Sequence, residues 1–577
     1  MRADCTIAPV KPTVLLLLLL SVAACQTAAP PAPTPRATEF DLVISGGRLV
    51  DGSGAPWSLA DVGIVGDQIT AIGDLRTRTT ARTIDARGLY VSPGFIDMLG
   101  QSEFNVLADS RAASKITQGV TTEITGEGTS IAPLNDRLAA EAQPNYQAFG
   151  VTLDFRTLGE YFARLESRSR PAINIGTFVG AGGLRSYVIG DSQRAATVEE
   201  LRQMEQLVRD AMEQGALGLS TSLQYVPDRF ASTEEIVAMA RVAAEYGGRY
   251  LTHQRSESHQ IIASLDEAFT VAEQASIPTE VWHLKTAYRA NWGRMPEVLR
   301  HLESARARGL DVSANIYPYD RASNGLDACL PLWVRDGGTD AMLARLKDPA
   351  NRARIRRDME DPSPKDWENQ WYGSGGGDGV LLSSVLDPSL RKWEGKTLTE
   401  IGREMGVDPR DAVMDLVIAD RGESSVIISI MREDDVRAAL AHPLISIGTD
   451  SGARAEDGPL SVSKSHPRAW GSFTKILGTY VRDQRLLTVE DAVRKFTSRP
   501  AARMGLLDRG LLRPGFKADI TVFDLATVQD RSTYTQPNQY STGIRHVLVN
   551  GQAVVSDGAI TDARPGHVIR GAGKVVR

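Results

Sequence analysis

The sequence predicts an α/β protein: a parallel (β/α)8 barrel of TIM type, a small β-sandwich built from both chain ends, and an insertion after the seventh barrel strand. Three observations carry that expectation. The chain has 577 residues, too many for one small domain and enough for a large barrel with satellites. Its middle alternates short β-type runs with amphipathic helical stretches, as a parallel barrel requires. Both flanks are instead rich in hairpin signals.

At the N-terminus, Arg2 and Lys11 precede the apolar run Val14 to Leu20, which is too short to span a bilayer and suits a signal-peptide core. It leads into Val22-Ala23-Ala24-Cys25, which resembles the bacterial lipoprotein processing box. The resemblance implies a signal peptide over 1–24, cleavage before Cys25 and lipidation of that residue. Several acyl chains together make a stable membrane anchor. Gln26 after the cysteine fits outer-membrane sorting by the same analogy, placing the protein on the bacterial cell envelope, facing the periplasm. The Pro/Ala-rich stretch within 25–39 reads as an extended tether. With Cys5 removed and Cys25 acylated, Cys329 alone remains, so no internal disulfide is expected.

Residues 40–92 read as the first part of the sandwich. Leu42 to Ile44 and Arg48 to Val50 flank Ser45-Gly46-Gly47, read as a turn, and Gly66-Asp67 joins Val62–Val65 to Gln68–Ile72. Residues 511–577 supply the second part, with Asp519 to Phe523, His546 to Val549 and Gln552 to Val555 around Asn550-Gly551. The barrel, 93–510, has eight candidate strands. In order they are Gly94–Asp97, Thr121–Thr125, Ile173–Val179 and Leu217–Ser220, then Arg249–Thr252, Thr279–Trp282, Asp311–Ile316 and Leu444–Ile447. Helices begin at Thr197-x-x-Glu200, Ser232-x-x-Glu235 and Thr488-x-x-Asp491, which have capping-box spacing or a close variant. Leu201, Met204, Val208 and Met212 share one face of the first, a core stripe. The insertion runs from about Ala322 to Asp435, long enough to roof the barrel mouth. Its glycine run at Gly373–Gly379 lacks the GK[ST] ending of a phosphate loop.

Composition is that of an ordinary globular protein, 42% hydrophobic and 24% charged with a formal charge of −6, and gives no reason to expect nucleic acid as a partner. Titratable residues gather instead at strand ends, where barrel enzymes place their sites. The fifth strand runs into His253, the sixth into His283 and the eighth into Asp450.

These strand ends resemble the later part of the metal constellation of the amidohydrolase superfamily. Pro93-Gly94-Phe95-Ile96-Asp97 is similar to that superfamily's first barrel strand. The match narrows to the N-acyl-D-amino-acid deacylase (D-aminoacylase) branch. Gly215 to Pro227 looks like its fourth-strand signature, and Thr252–Glu257 and His283-Leu284-Lys285 like its fifth and sixth. "NIYPYD" from Asn315, "KTLTEIGREMGVDPRDAVMDL" from Lys396, "HPRAWGSF" from His466 and "ARPGHVI" from Ala563 continue it, so the similarity covers about Phe40 to Arg570.

The departures from the branch all lie around the site. Leu99 and Gln101 stand where the first strand usually carries His-x-His; leucine cannot ligate and an amide is a poor zinc ligand. The second-strand "GNCG"-like turn, whose cysteine binds zinc, reads Gly126-Glu127-Gly128-Thr129, and the third-strand "GHG" reads Gly180-Ala181-Gly182. His253, His283 and Asp450 persist, which favours a remodelled site. Glu127 would then complete a His-His-Glu set suited to catalytic zinc, one ion rather than two, with Glu123 and Glu103 as weaker rivals. Asp450 would act as general base toward an activated water. A substrate carboxylate needs a cation, for which Lys285, Arg468 and Arg289 are candidates. Tyr317 or Tyr319 would donate to a developing oxyanion, and Gln101 is left for contact with a ligand or with substrate. The implied reaction is metal-dependent cleavage of the amide bond of an N-acyl-D-amino acid or small D-peptide. Two alternatives stay open: hydrolysis of another amide (cyclic amide, dipeptide or carbamoyl compound), and a non-catalytic envelope binding lipoprotein.

Overall fold

A computed structural model describes residues 38–190, 192–365, 367–462 and 464–573. The expected signal peptide, Cys25 and the tether up to residue 37 lie outside the described residues. Among the described residues no helix is long and apolar enough to cross a membrane.

Eight parallel strands form the barrel. They are Phe95–Asp97, Val120–Thr125, the interrupted third strand Asn174–Thr177 with Val179–Gly180, Gly218–Ser222, Arg249–His253, Thr279–Val281, Val312–Ile316 and Ile445–Ile447. Each expected strand is present, shifted by at most a few residues. The eighth closes on the first: the Met98 N–H donates to the Ile447 carbonyl at 3.1 Å, and Gly100 bridges Ser451 in parallel. Buried apolar side chains, among them Ile96, Leu99, Phe178, Leu251 and Trp282, fill one cluster of the barrel. Removing such side chains from water is the main force holding these layers together.

The barrel helices start where the sequence places them. Val198–Gln214 opens with a reciprocal capping box between Thr197 and Glu200, and its Met204, Val208 and Met212 are fully buried. Ser232 caps Thr233–Glu245 through the Glu235 N–H, but the Glu235 carboxylate turns away to a buried ion pair with Arg185, 2.7 Å.

Both flanks of the chain build one nine-stranded sheet. The N-terminal contribution joins the C-terminal one where Tyr90–Pro93 pairs antiparallel with Ile520–Phe523. Asn550 and Gly551 make the hairpin turn with φ 47° and 78°, left-handed values that asparagine and glycine tolerate best. One expectation fails here: Ser45-Gly46-Gly47 is not a turn. Leu42–Leu49 is a single strand with a bulge between Ile44 and Gly47, and Gly46 at φ 74° absorbs the extra residue.

After the seventh strand the chain leaves the barrel. Arg321–Gly325, Val380–Ser384 and Ser425–Ser429 form a small antiparallel sheet, with Ser425–Ser429 in the middle. One end of this sheet, at Ser323, Asn324, Ser384 and Ser425, faces the carboxyl ends of the barrel strands across a cavity.

Candidate metal centre and active site

That cavity, of about 430 Å³, is lined at the ends of the first, second, fourth, fifth, sixth and eighth strands. Glu127 lines it, just past the second strand. Its Oε1 lies 3.1 Å from His253 Nδ1 and 3.1 Å from His283 Nε2. Among the described residues these three form the one group of three or more His, Cys, Asp or Glu whose ligand atoms converge, all within 4.8 Å of one another. The imidazoles meet edge to face, 4.4 Å between centroids.

The surroundings decide which nitrogens face inward. Glu368 Oε1 accepts from the backbone N–H groups of Glu257 (2.9 Å) and Ser258 (3.0 Å), and Oε2 accepts from Gln224 Nε2 at 2.7 Å. The Gln224 amide is thereby oriented with its oxygen toward His253 Nε2, 2.8 Å away. His253 must donate from Nε2, which leaves the Nδ1 lone pair aimed at the Glu127 carboxylate. Two lone pairs face each other unless a cation or proton lies between them. His283 Nδ1 lies 3.0 Å from Glu257 Oε1 and 2.7 Å from Lys285 Nζ, so a carboxylate and an ammonium flank the nitrogen opposite Glu127. Burial alone would push the Glu127 carboxyl up, yet the hydrogen bonds with His253 and His283 hold it well below the usual range. Burial and the Lys285 ammonium pull His283 down, but the carboxylates of Asp450, Glu257 and Glu127 outweigh them and raise it to about 9. This pocket holds positive charge, and its two nitrogens and one carboxylate oxygen suit zinc.

The position of the lost first-strand ligands is occupied otherwise. Leu99 is 0% exposed and belongs to the apolar cluster. Gln101, open to the cavity, donates from Nε2 to Glu127 Oε2 (3.0 Å) and to Asp450 Oδ1 (3.0 Å). One amide NH2 thus bridges two carboxylates. Gly128, next to Glu127, has φ 60°, and a Cβ there would come 2.3 Å from Ser222 Cβ. No thiol fits at that position as the chain now runs.

Asp450, past the eighth strand, and His283, past the sixth, are both in a left-handed conformation, φ 50° and 34°. Such backbone geometry persists only where the surroundings impose it. Asp450 Oδ2 pairs with Arg468 Nη1 at 2.7 Å, both side chains being buried. Arg468 Nε makes no hydrogen bond, and the guanidinium carbon lies 4.7 Å above the Tyr317 ring.

Other expected site residues are placed differently. Lys285 lines the cavity but is engaged, with Nζ 2.7 Å from Glu257 Oε1 and 2.7 Å from His283 Nδ1. Tyr317 is fully buried beneath Lys285 and Arg468, outside the cavity lining; its hydroxyl, without a partner, is pushed up to about 12 by burial. Tyr319 is a correction: its hydroxyl donates to Asp530 at 2.7 Å, outside the cavity lining, because the side chain points into the interface with the C-terminal segment. Arg289 lines a different cavity beside Trp371. Glu123 is buried with Ser102 and Lys115, and Glu103 accepts from Thr177; neither lines the cavity. Sequence reasoning missed Gln224, Glu257 and Glu368. The first two sit inside the fourth- and fifth-strand motifs and were within reach; Glu368 lies in the insertion, where no periodicity marks it.

The amidohydrolase family profile matches residues 82–336 and 394–555. The chain belongs to the amidohydrolase family. It is 36% identical to D-aminoacylase of Alcaligenes xylosoxydans xylosoxydans over 536 residues, 92% of this chain and 97% of that protein. Two solved structures superpose at TM-score 0.75 over 92% of this chain and 99% of theirs. One, 34% identical, is a D-aminoacylase whose binuclear metal centre shows one-metal activation and second-metal attenuation. The other, 33% identical, is N-acyl-D-glutamate deacylase of Bordetella bronchiseptica with zinc and a phosphonate inhibitor mimicking the tetrahedral intermediate. This amidohydrolase is a member of the N-acyl-D-amino-acid deacylase branch that lacks the first-strand His-x-His, and a hydrolase of C–N bonds other than peptide bonds.

Proposed function

We propose that this amidohydrolase deacylates N-acyl-D-amino acids, or closely related small D-residue amides, with a single zinc ion held by Glu127, His253 and His283. The observation that carries the reading is the convergence of Glu127 Oε1 on both imidazoles at 3.1 Å, with Gln101 occupying the space toward Asp450. When bound, the ion supplies Lewis acidity to the scissile carbonyl and to the attacking water. Asp450 takes the proton from that water and returns it to the leaving amine. Its Oδ2 is held by Arg468 Nη1 at 2.7 Å, which fixes the carboxylate in place. Arg468, with Nε unpaired, is the cation for the substrate carboxylate; Lys285 holds Glu257 and adds positive potential, and Tyr317 is the platform beneath both. The names of the relatives support the D-amino-acid class.

The test is metal content per chain, followed by assay of N-acetyl-D- against N-acetyl-L-amino acids with His253→Ala and Asp450→Ala controls. Near-stoichiometric zinc and D-selective turnover lost in both variants supports the reading. Turnover confined to other amides replaces the substrate class, and absence of both metal and turnover makes the barrel a binding module. The lipoprotein box motivates a further part of the proposal, an envelope protein anchored through Cys25. Cys25→Ala releases such a protein from the membrane fraction, and continued membrane association of that variant rejects the anchor.

A further inference from the structure

Glu368 comes from the insertion, far in sequence from every residue of the metal centre, and both of its carboxylate oxygens are used. Oε2 accepts from Gln224 Nε2 at 2.7 Å, and Gln224 Oε1 in turn faces His253 Nε2 at 2.8 Å. Oε1 accepts from the backbone N–H groups of Glu257 and Ser258 at 2.9 and 3.0 Å, from the Ser258 hydroxyl at 2.7 Å, and from the Ser256 hydroxyl. That grip sets the position of Glu257, whose Oε1 lies 3.0 Å from His283 Nδ1. One oxygen therefore leads to each histidine. Glu368 is 7% exposed, Gln224 9% and Glu257 3%, so these contacts are sheltered from competing water.

We propose that Glu368 is a positioning residue of the metal centre: the insertion sets the tautomer of His253 through Gln224 and the seat of His283 through Glu257. The proposal rests on the reading that these histidines hold zinc. The relay has a definite polarity. Glu368 can only accept at Oε2, so Gln224 must present its NH2 there and its oxygen to His253. His253 then carries its proton on Nε2 and keeps Nδ1 free for the ion. Barrel and insertion thereby share one site, and the roof of the cavity cannot shift without disturbing the ligands below it.

Glu368→Gln tests the polarity with almost no change of shape. Its amide oxygen keeps the place of Oε1, where the N–H donors require an acceptor. Its NH2 then faces the NH2 of Gln224, a clash relieved when the Gln224 amide inverts. Inversion turns a donor toward His253 Nε2 and moves the imidazole proton to Nδ1, the atom needed by the ion. Zinc affinity of the metal-free protein, measured by competition with a chromophoric chelator at fixed pH, is expected to fall roughly 10–100-fold. Gln224→Met, which cuts the relay and leaves the loop grip intact, is expected to lower affinity as well. The exchange Gln224→Glu with Glu368→Gln restores an acceptor between two donors and is expected to recover most of the loss. A merely structural role for Glu368 does not predict that recovery. Unchanged affinity in Glu368→Gln and Gln224→Met, or a loss the exchange leaves in place, overturns the proposal. If Glu368→Gln does not fold, Gln224→Met and the exchange decide alone. A wild-type protein that takes up no zinc rejects the metal-centre reading itself, which is a distinct result.

Discussion

Replacing Gln101 by glutamate tests whether its amide stands in for a second cation. In the native site Nε2 is 3.0 Å from Glu127 Oε2 and 3.0 Å from Asp450 Oδ1. A carboxylate oxygen in that place meets two like charges at about 3 Å, each worth roughly 5 kcal/mol at an effective dielectric near 20. Gln101 opens to the cavity, so solvent screening brings the working figure to about 2–4 kcal/mol per contact. Three carboxylates crowded this way must take up a proton or a cation. In excess divalent metal the Gln101→Glu protein is therefore expected to bind two ions per chain, against one for the wild type. Metal-free, it is expected to melt at a lower temperature than metal-free wild type near neutral pH, and to gain more from added metal. Equilibrium dialysis with elemental analysis gives the stoichiometry, and thermal melts with and without chelator give the stability. A variant that still binds one ion and melts with the wild type in both conditions refutes the reasoning.

Asp450→Asn is expected to lower kcat by roughly 10²–10⁴-fold while zinc content stays at the wild-type level, because Asp450 lies outside the Glu127–His253–His283 set; kinetics with elemental analysis checks both halves. His283, raised from its ordinary 6.5 to about 9, stabilises the metal-free fold fully below about pH 6.5 and loses that contribution as pH rises through about 9. Melts of chelator-treated protein should therefore fall across that window by at most about 3 kcal/mol of stability, whereas zinc-loaded protein, its proton displaced, should not. Leu99→His removes a fully buried leucine worth about 1.5–3 kcal/mol and buries an unpaired imidazole at a further 1–3 kcal/mol or so. A lower melting temperature with no second zinc is expected; a second zinc at unchanged stability contradicts the packing argument.

The fold was legible because its signals are local and repeated: strand-length apolar runs, capping pairs and hairpin turns set each element without knowledge of the others. His253, His283 and Asp450 were legible for the same reason, each lying at the end of a strand the pattern already marked. Glu127 was singled out by position alone, as the carboxylate beside a missing thiol, and its Oε1 lies 3.1 Å from both imidazoles. The second layer of the site was not legible. Tyr317 and Tyr319 both follow the seventh strand, and nothing local says that Tyr319 turns to Asp530, more than two hundred residues on. Glu368 meets Gln224 across 144 positions of chain, through an insertion whose path no periodicity predicts. The sequence offers Lys285 as a cation for substrate without showing its engagement, because its partner, Glu257, reaches it only when the fifth and sixth strand ends lie side by side.

The first strand shows why losing two ligands need not dismantle the site. Its side chains at Leu99 and Gln101 supply no imidazoles, but its backbone places Asp450, the proposed base: the Leu99 carbonyl accepts from the Asp450 N–H at 2.7 Å. Gly100 pairs with Ser451 across the barrel seam, and a Cβ there would come 1.7 Å from Glu123 Oε1. That carboxylate lies 3.6 Å from the fully buried Lys115 Nζ, which also contacts Asp97 Oδ2 (2.7 Å), Thr449 Oγ1 (2.6 Å) and the Ser451 carbonyl (2.7 Å). Lys115 thus grips both neighbours of Asp450 and ties them to the first strand. A buried ammonium is tolerated only when so fully paired, and removing one partner strands the others at about 3–5 kcal/mol. The geometry of Asp450 is therefore secured from beneath by the seam and this cluster, independently of any second metal. The first strand lacks a ligand pair but keeps the backbone contacts that hold Asp450, the proposed base, in place.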